Sequence, residues 1–207
     1  VLASLIIPLS GIATTKMRLA RAQADLNALV TGIEGYKQEV GFYPPDNGKL
    51  KTINTNSASG YREYREALGM NSLYYELVGC VFTNRQFYVV GGDEQISGTQ
   101  LNELFGVTGI QNSQRHRSDI PFKGFQMKAA LHAELAPTLP GVNGADVEIL
   151  AAPVPGPKTN QISGKTGVIH PWFYDATSTN RNNRASFDLW AEVVAGGRTN
   201  IIGNWKN

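Results

Sequence analysis

The side chains able to do chemistry are few and scattered. His132-Ala-Glu134 has the H-x-E spacing of a zinc deaminase. That chemistry also needs a Pro-Cys-x-x-Cys pair to hold the metal, and the chain has one cysteine, Cys80. A lone thiol closes no intrachain disulfide and builds no thiolate-rich zinc site. Cys80 is therefore read as a small buried apolar residue. His116 sits between Arg115 and Arg117, as in a solvated loop, and His170 precedes Pro171 and Trp172, where packing or exposure is expected rather than catalysis. Gly164-Lys165-Thr166 has the ending of a phosphate loop, but position 159, where the first glycine of that loop belongs, is Thr. It is read as a polar turn. No Gly-x-Ser-x-Gly elbow occurs. Asp93-Glu94 follows two glycines and reads as loop; glycosidase work needs two carboxylates facing each other, which adjacency does not establish. Arg62 and Arg65 with Tyr61 and Tyr64 form a basic aromatic cluster of a kind that stacks on nucleic acid, with a half-exposed helix face as the plainer reading. Nothing in this inventory supports an enzyme, a catalytic residue, a metal or a cofactor.

Composition narrows the classes further. The 207 residues are 42% hydrophobic and 17% charged, with 19 basic and 17 acidic side chains and a net charge of +2. That balance excludes an ordinary strongly basic nucleic-acid binder and a polyacidic disordered tail. The 22 glycines favour turns and loops. No stretch reaches the roughly 18–20 apolar residues that span a bilayer. The opening Val1-Leu-Ala-Ser-Leu-Ile-Ile-Pro-Leu-Ser-Gly-Ile12 is nevertheless apolar on every side. It reads as the second half of a longer hydrophobic segment, too short for a membrane helix and without the basic region of a signal peptide.

The elements follow from periodicity. After Lys16, Arg18 and Arg21, apolar residues recur at Leu19, Ala22, Leu26, Leu29, Val30, Ile33, Tyr36 and Val40. Steps of three and four predict one face of a helix, from about Thr14 or earlier to Gly41, where Pro44-Pro45 forbids continuation. Pro8 and Gly11 are the points where it is expected to kink or unwind. Asp46 to Gly60 reads as a polar loop. Helices are expected at Tyr61–Leu68, at Leu73–Val78 behind an Asn71-Ser72 cap, and at Thr99–Phe105. Strands are expected at Phe87–Val90, Val147–Leu150 and Trp172–Tyr174, with Phe125–Ala133 ambiguous. Phe187–Val194 and Thr199–Ile202 read as a hairpin turning at Gly196-Gly197, with Phe187, Leu189, Ala191 and Val193 on one face. The class is α+β: a long N-terminal helix packed on a small antiparallel head, divided into a stalk at 1–45 and a head at 46–207.

Certain motifs carry a resemblance. Gln23-Ala-Asp-Leu-Asn-Ala-Leu-Val-Thr-Gly-Ile-Glu-Gly-Tyr-Lys-Gln-Glu-Val-Gly-Phe-Tyr-Pro-Pro45 closely resembles the stalk helix of the major pseudopilin of type II secretion, within the type IV pilin-like family. There too an aliphatic stripe leads to a Tyr and then to Gly-x-Tyr-Pro. Leu2-Ala-Ser-Leu-Ile-Ile-Pro8 is similar to the back half of the family's N-terminal helix. His170-Pro-Trp-Phe-Tyr174, Phe187-Asp-Leu-Trp190 and Ile202-Gly-Asn-Trp205 are similar to its C-terminal elements. The matches cover roughly the first 45 and last 40 residues; segment 46–169 is enlarged and does not align. The family's leader, methylated first residue and fifth-position Glu are not in this chain, which reads as starting inside the mature helix. The family's calcium loop has Asp ligands, whereas Ala191–Asn200 offers only Glu192. Calcium takes about 6–8 oxygen ligands, so a hydrophobic hairpin without an ion is expected there.

The resemblance implies a structural subunit that waits in the inner membrane and then enters a periplasmic or cell-surface filament. Its partners would be further copies of itself in a helical homopolymer and the secretion or pilus assembly machinery, with no nucleic acid. Val1, Leu2, Leu5, Ile6, Ile7, Pro8, Leu9 and Ile12 are the expected assembly residues. Leu19, Leu26, Leu29, Ile33, Tyr36 and Val40 are expected to pack the helix on the head. Residues on an all-round apolar helix must lie in a membrane or among like helices, which agrees with this role. The alternative is a minor, tip-located adhesin whose middle segment binds a surface or carbohydrate. An enzyme head on a pilin-like anchor ranks third.

Overall fold

The computed structural model describes residues 3–114, 125–142 and 146–205. The aliphatic stripe produces helix α1, Ala3–Val40, of 38 residues, about 57 Å long at ~1.5 Å per residue. Leu26, Leu29, Ile33 and Tyr36 on that stripe are buried, and Leu19 and Val40 pack against the core partly covered. The helix ends at Gly41, whose φ of +94° is left-handed and whose N–H donates to the Lys37 carbonyl at 2.9 Å.

The expected unwinding at Pro8 and Gly11 does not occur: α1 is helical through both. Pro8 is the sixth residue of the helix, where its missing N–H removes one rung near an end rather than dividing the element. Val1 and Leu2, the side chains of Leu5, Ile6, Ile7, Pro8 and Leu9, and the Arg115-His116-Arg117 motif lie outside the described residues.

The head begins with a 3₁₀ turn at Gly48–Lys51 inside the stretch expected to be loop. Helix α2, Ala58–Gly69, starts three residues earlier than periodicity indicates because the Ser57 hydroxyl accepts the Gly60 N–H at 3.1 Å. Helix α3 is Leu73–Val78. Ser72 occupies its cap position without capping it; the Asn71 side chain accepts from Leu73 N–H at 3.2 Å instead. Helix α4, Gly98–Phe105, opens with a reciprocal capping box between Ser97 and Gln100.

Strands β1 (Cys80–Thr83), β2 (Gln86–Val89), β3 (Gln95–Ser97) and β4 (Ser113–Gln114) form a sheet in the order β3-β2-β1-β4, antiparallel except for β1 with β4. Two small antiparallel pairs follow, β5 (His132–Glu134) with β6 (Glu148–Leu150), and β7 (Ile162–Gly164) with β8 (Gly167–Ile169). The ambiguous Phe125–Ala133 resolves into irregular chain, a 3₁₀ turn at Ala129–Leu131 and the start of β5. The last sheet has the order β11-β10-β9, from β9 (Phe173–Asp175), β10 (Asp188–Ala195) and β11 (Arg198–Gly203).

That last sheet organises the molecule. Phe187, Leu189, Ala191 and Val193 are fully buried in the core that holds α1. On the opposite face, Trp190 and Phe173 pack with Leu50, Ala67 and Leu68 under α2. The sheet is thus sandwiched between α1 and α2, because side chains alternate faces along a strand. A single core cluster takes residues from the stalk, the middle segment and the C-terminal strands. The architecture is α+β, with a long N-terminal helix and small, mostly antiparallel sheets.

Candidate functional site

Among the described residues, α1 with its anchorage and a cleft beside α2 offer something to a partner. Tyr36, on the buried stripe, donates its hydroxyl to Glu76 Oε2 at 2.9 Å. Glu76 is fully buried on α3 and also accepts the N–H groups of Gln111 and Asn112, each at 2.9 Å. Burial pushes the Glu76 carboxyl above its ordinary range, against the pull of those three donors. Burial and the neighbouring Glu76 push the Tyr36 hydroxyl far upward, so it stays a donor. This knot ties α1 to the head.

The segment after α1 is tied just as firmly. Tyr174 donates its hydroxyl to the Pro44 carbonyl at 2.8 Å, and Tyr43 donates to Glu34 at 3.2 Å while Lys37 lies 4.0 Å over the Tyr43 ring. Asp46 accepts from the N–H groups of Ala176 and Thr177, each at 2.9 Å. The Gly-x-Tyr-Pro pattern flagged this stretch in sequence, but Asp46 and Glu76 carried no signal, because their partners lie 130 and 36 positions away along the chain.

Toward its N-terminus α1 leaves the head. Arg18 donates to the Val194 carbonyl at 3.4 Å, and Thr15 lies beside the Gly196 turn. Beyond that, Gly11 through Thr14 are exposed, with Ile12 at 56%, and Met17 is 70% exposed. No helix among the described residues is long and apolar enough to cross a membrane.

The residues with chemical potential are dispersed through the fold. His132 meets Glu148 at 2.9 Å and stacks on Tyr74 at 4.7 Å between ring centres. Its sequence neighbour Glu134 instead pairs with Lys165 at 2.6 Å. Lys165 and Thr166 form the two-residue turn of the β7–β8 hairpin, consistent with a polar turn. His170 has its ring pKa lowered by burial. Cys80 is fully buried, and burial pushes its thiol up. Among the described residues no cluster of three or more His, Cys, Asp or Glu has the makings of a metal site.

On α2, Arg65 is ion-paired with Glu192 and lies 5.4 Å over the Phe173 ring, so its charge is engaged within the molecule. Tyr61 is exposed and Tyr64 lines the cleft. The β10–β11 turn is a glycine pair, Gly196 and Gly197, with φ of +61° and +73°, as a two-residue hairpin requires. Glu192 is held by Arg65 and Asn160. Comparison with known protein families, curated proteins and solved structures finds no match.

Proposed function

We propose that this chain is a structural subunit of a type IV pilin-like filament, either a type II secretion pseudopilus or a related pilus, polymerising through α1. The observation that carries the reading is a single helix of 38 residues whose C-terminal half is locked into the head while Ile12 and Met17 stand exposed where it leaves. The sequence of residues 1–12 is apolar and uncharged. At roughly 25 cal/mol per Å² of apolar surface, like helices gain strongly by packing together. A repeated contact of one copy on the next that does not close yields a helical fibre. The motif resemblances at both ends of the chain support the same assignment. On this reading the subunit waits in the inner membrane, meets the assembly machinery there, and ends in a periplasmic or cell-surface fibre.

The test is electron microscopy of fibres sheared from producing cells, with mass spectrometry of the same fraction. Uniform fibres dominated by this chain are expected. A monomer absent from every fibre fraction would overturn the proposal. A chain found only in a few copies at fibre tips would instead establish the second reading, a tip subunit with a binding head, which the cleft beside α2 favours.

A further inference from the structure

The filament reading leaves one built feature unused. Between α2, the outer face of β9–β10 and the loop 176–183 lies a cleft of about 580 Å³, inside the ~300–1,000 Å³ usual for ligand sites. Its aromatic side comes from Tyr61, Tyr64 and Trp190. Tyr61 is 53% exposed. Trp190 is fixed by stacking on Phe173 at 5.2 Å and by Trp205 meeting it edge-on at 5.6 Å.

The opposite side is polar and held in place. Asp188 accepts the N–H groups of Asn182 at 2.6 Å and Asn183 at 2.8 Å. Asp175 accepts those of Thr177 at 3.2 Å and Ser178 at 2.8 Å. These bonds fix the loop that presents Thr179 and Asn180 to the cleft. They also occupy both oxygens of Asp188 and one oxygen of Asp175, and Glu192 pairs with Arg65. What remains for a ligand is aromatic surface beside hydroxyl, amide and carboxylate groups: Arg65 is paired with Glu192, Asp175 and Asp188 accept only uncharged donors, and Lys51 in the same lining offsets part of their charge. That lining suits a neutral polyol, whose C–H faces cover aromatic rings and whose hydroxyls exchange hydrogen bonds with Asn and Thr. A second cavity of about 550 Å³ adjoins the first at Tyr61 and Arg65, which leaves room for more than one sugar ring.

We propose that this groove binds a neutral oligosaccharide, with Tyr61 as the stacking platform and Asn180 as a hydrogen-bonding group on the facing loop. The proposal rests on the head alone and holds whether or not the chain forms fibres. The groove is ordered before the ligand arrives, so little binding energy is lost to arranging it.

The test is calorimetric titration of the full chain with cellohexaose, maltohexaose and chitohexaose, with tryptophan fluorescence as a second readout and hexagalacturonate as the charged control. At least one neutral hexasaccharide is expected to bind with a sub-millimolar Kd and to change the tryptophan emission. Tyr61→Ala and Asn180→Ala are each expected to weaken it about tenfold or more, with thermal unfolding unchanged. Failure of all three neutral sugars, binding of hexagalacturonate alone, or undiminished affinity in both variants would overturn the proposal.

Discussion

Glu76 shows what a single carboxylate does when it has no water. Its two oxygens receive one tyrosine hydroxyl and two backbone N–H groups, so it joins α1, α3 and the chain at 111–112. Glutamine in its place keeps one acceptor oxygen and turns an NH₂ toward a donor. Glu76→Gln is therefore expected to cost about 1–3 kcal/mol, the usual range for leaving a buried donor unmet, read from urea unfolding. The pH dependence follows from the upward shift of Glu76. A folded-state pKa above the unfolded value of about 4.3 means the folded chain holds this proton more tightly. The contribution is fully present in acid and falls as pH rises through the folded pKa. The stability advantage of wild type over Glu76→Gln should therefore shrink as pH is raised; an advantage that grows would show that the three donors outweigh burial.

At the scale of elements, α1 and the β10–β11 hairpin carry the argument. Leu29 is fully buried on the stripe that seats α1, so Leu29→Ala is expected to destabilise the chain by about 2–5 kcal/mol in chemical denaturation. The hairpin turns on two glycines, and Glu192, its carboxylate, is bound by Arg65 and Asn160. Chelation with EDTA is accordingly expected to leave the thermal midpoint unchanged, and a clear fall would reveal a stabilising cation. The longer helices and the long hairpin were legible in sequence because periods of 3.6 and 2 persist along them, and the six-residue α3 because Asn71-Ser72 precedes an apolar run. Of the short strands, Phe87–Val90, Val147–Leu150 and Trp172–Tyr174 were legible as apolar runs and correspond to β2, β6 and β9, whereas β1, β3, β4, β7 and β8 were not. β1 and β2 turn through Asn84 and Arg85, both at positive φ without a glycine to announce it, and β5 and β6 meet across 14 or more positions. The Asn71-Ser72 cap was placed correctly but assigned to both residues, whereas only Asn71 makes the bond. The cleft was half legible: Tyr61, Tyr64 and Arg65 stood out as a cluster, but its far side comes from residues 175–190, which only the tertiary fold brings there.

For the whole molecule, the position of the last sheet matters most. One of its faces holds α1 and the other holds α2 with the cleft, so the helix proposed for assembly and the groove proposed for sugar lie on opposite sides. In a fibre with α1 toward the axis, the groove faces outward. The two activities are then separable by one substitution. Ile12 is 56% exposed in the single chain, so Ile12→Asp is expected to alter unfolding by no more than about 0.5 kcal/mol. Among packed apolar helices the same carboxylate must be desolvated without a partner, at a cost of several kcal/mol, repeated at every copy. Cells producing Ile12→Asp should yield no fibres, while the purified variant keeps its melting temperature and any affinity for the hexasaccharides. Normal fibres from Ile12→Asp would show that this turn of α1 faces solvent in the polymer and would move the assembly surface elsewhere on the molecule.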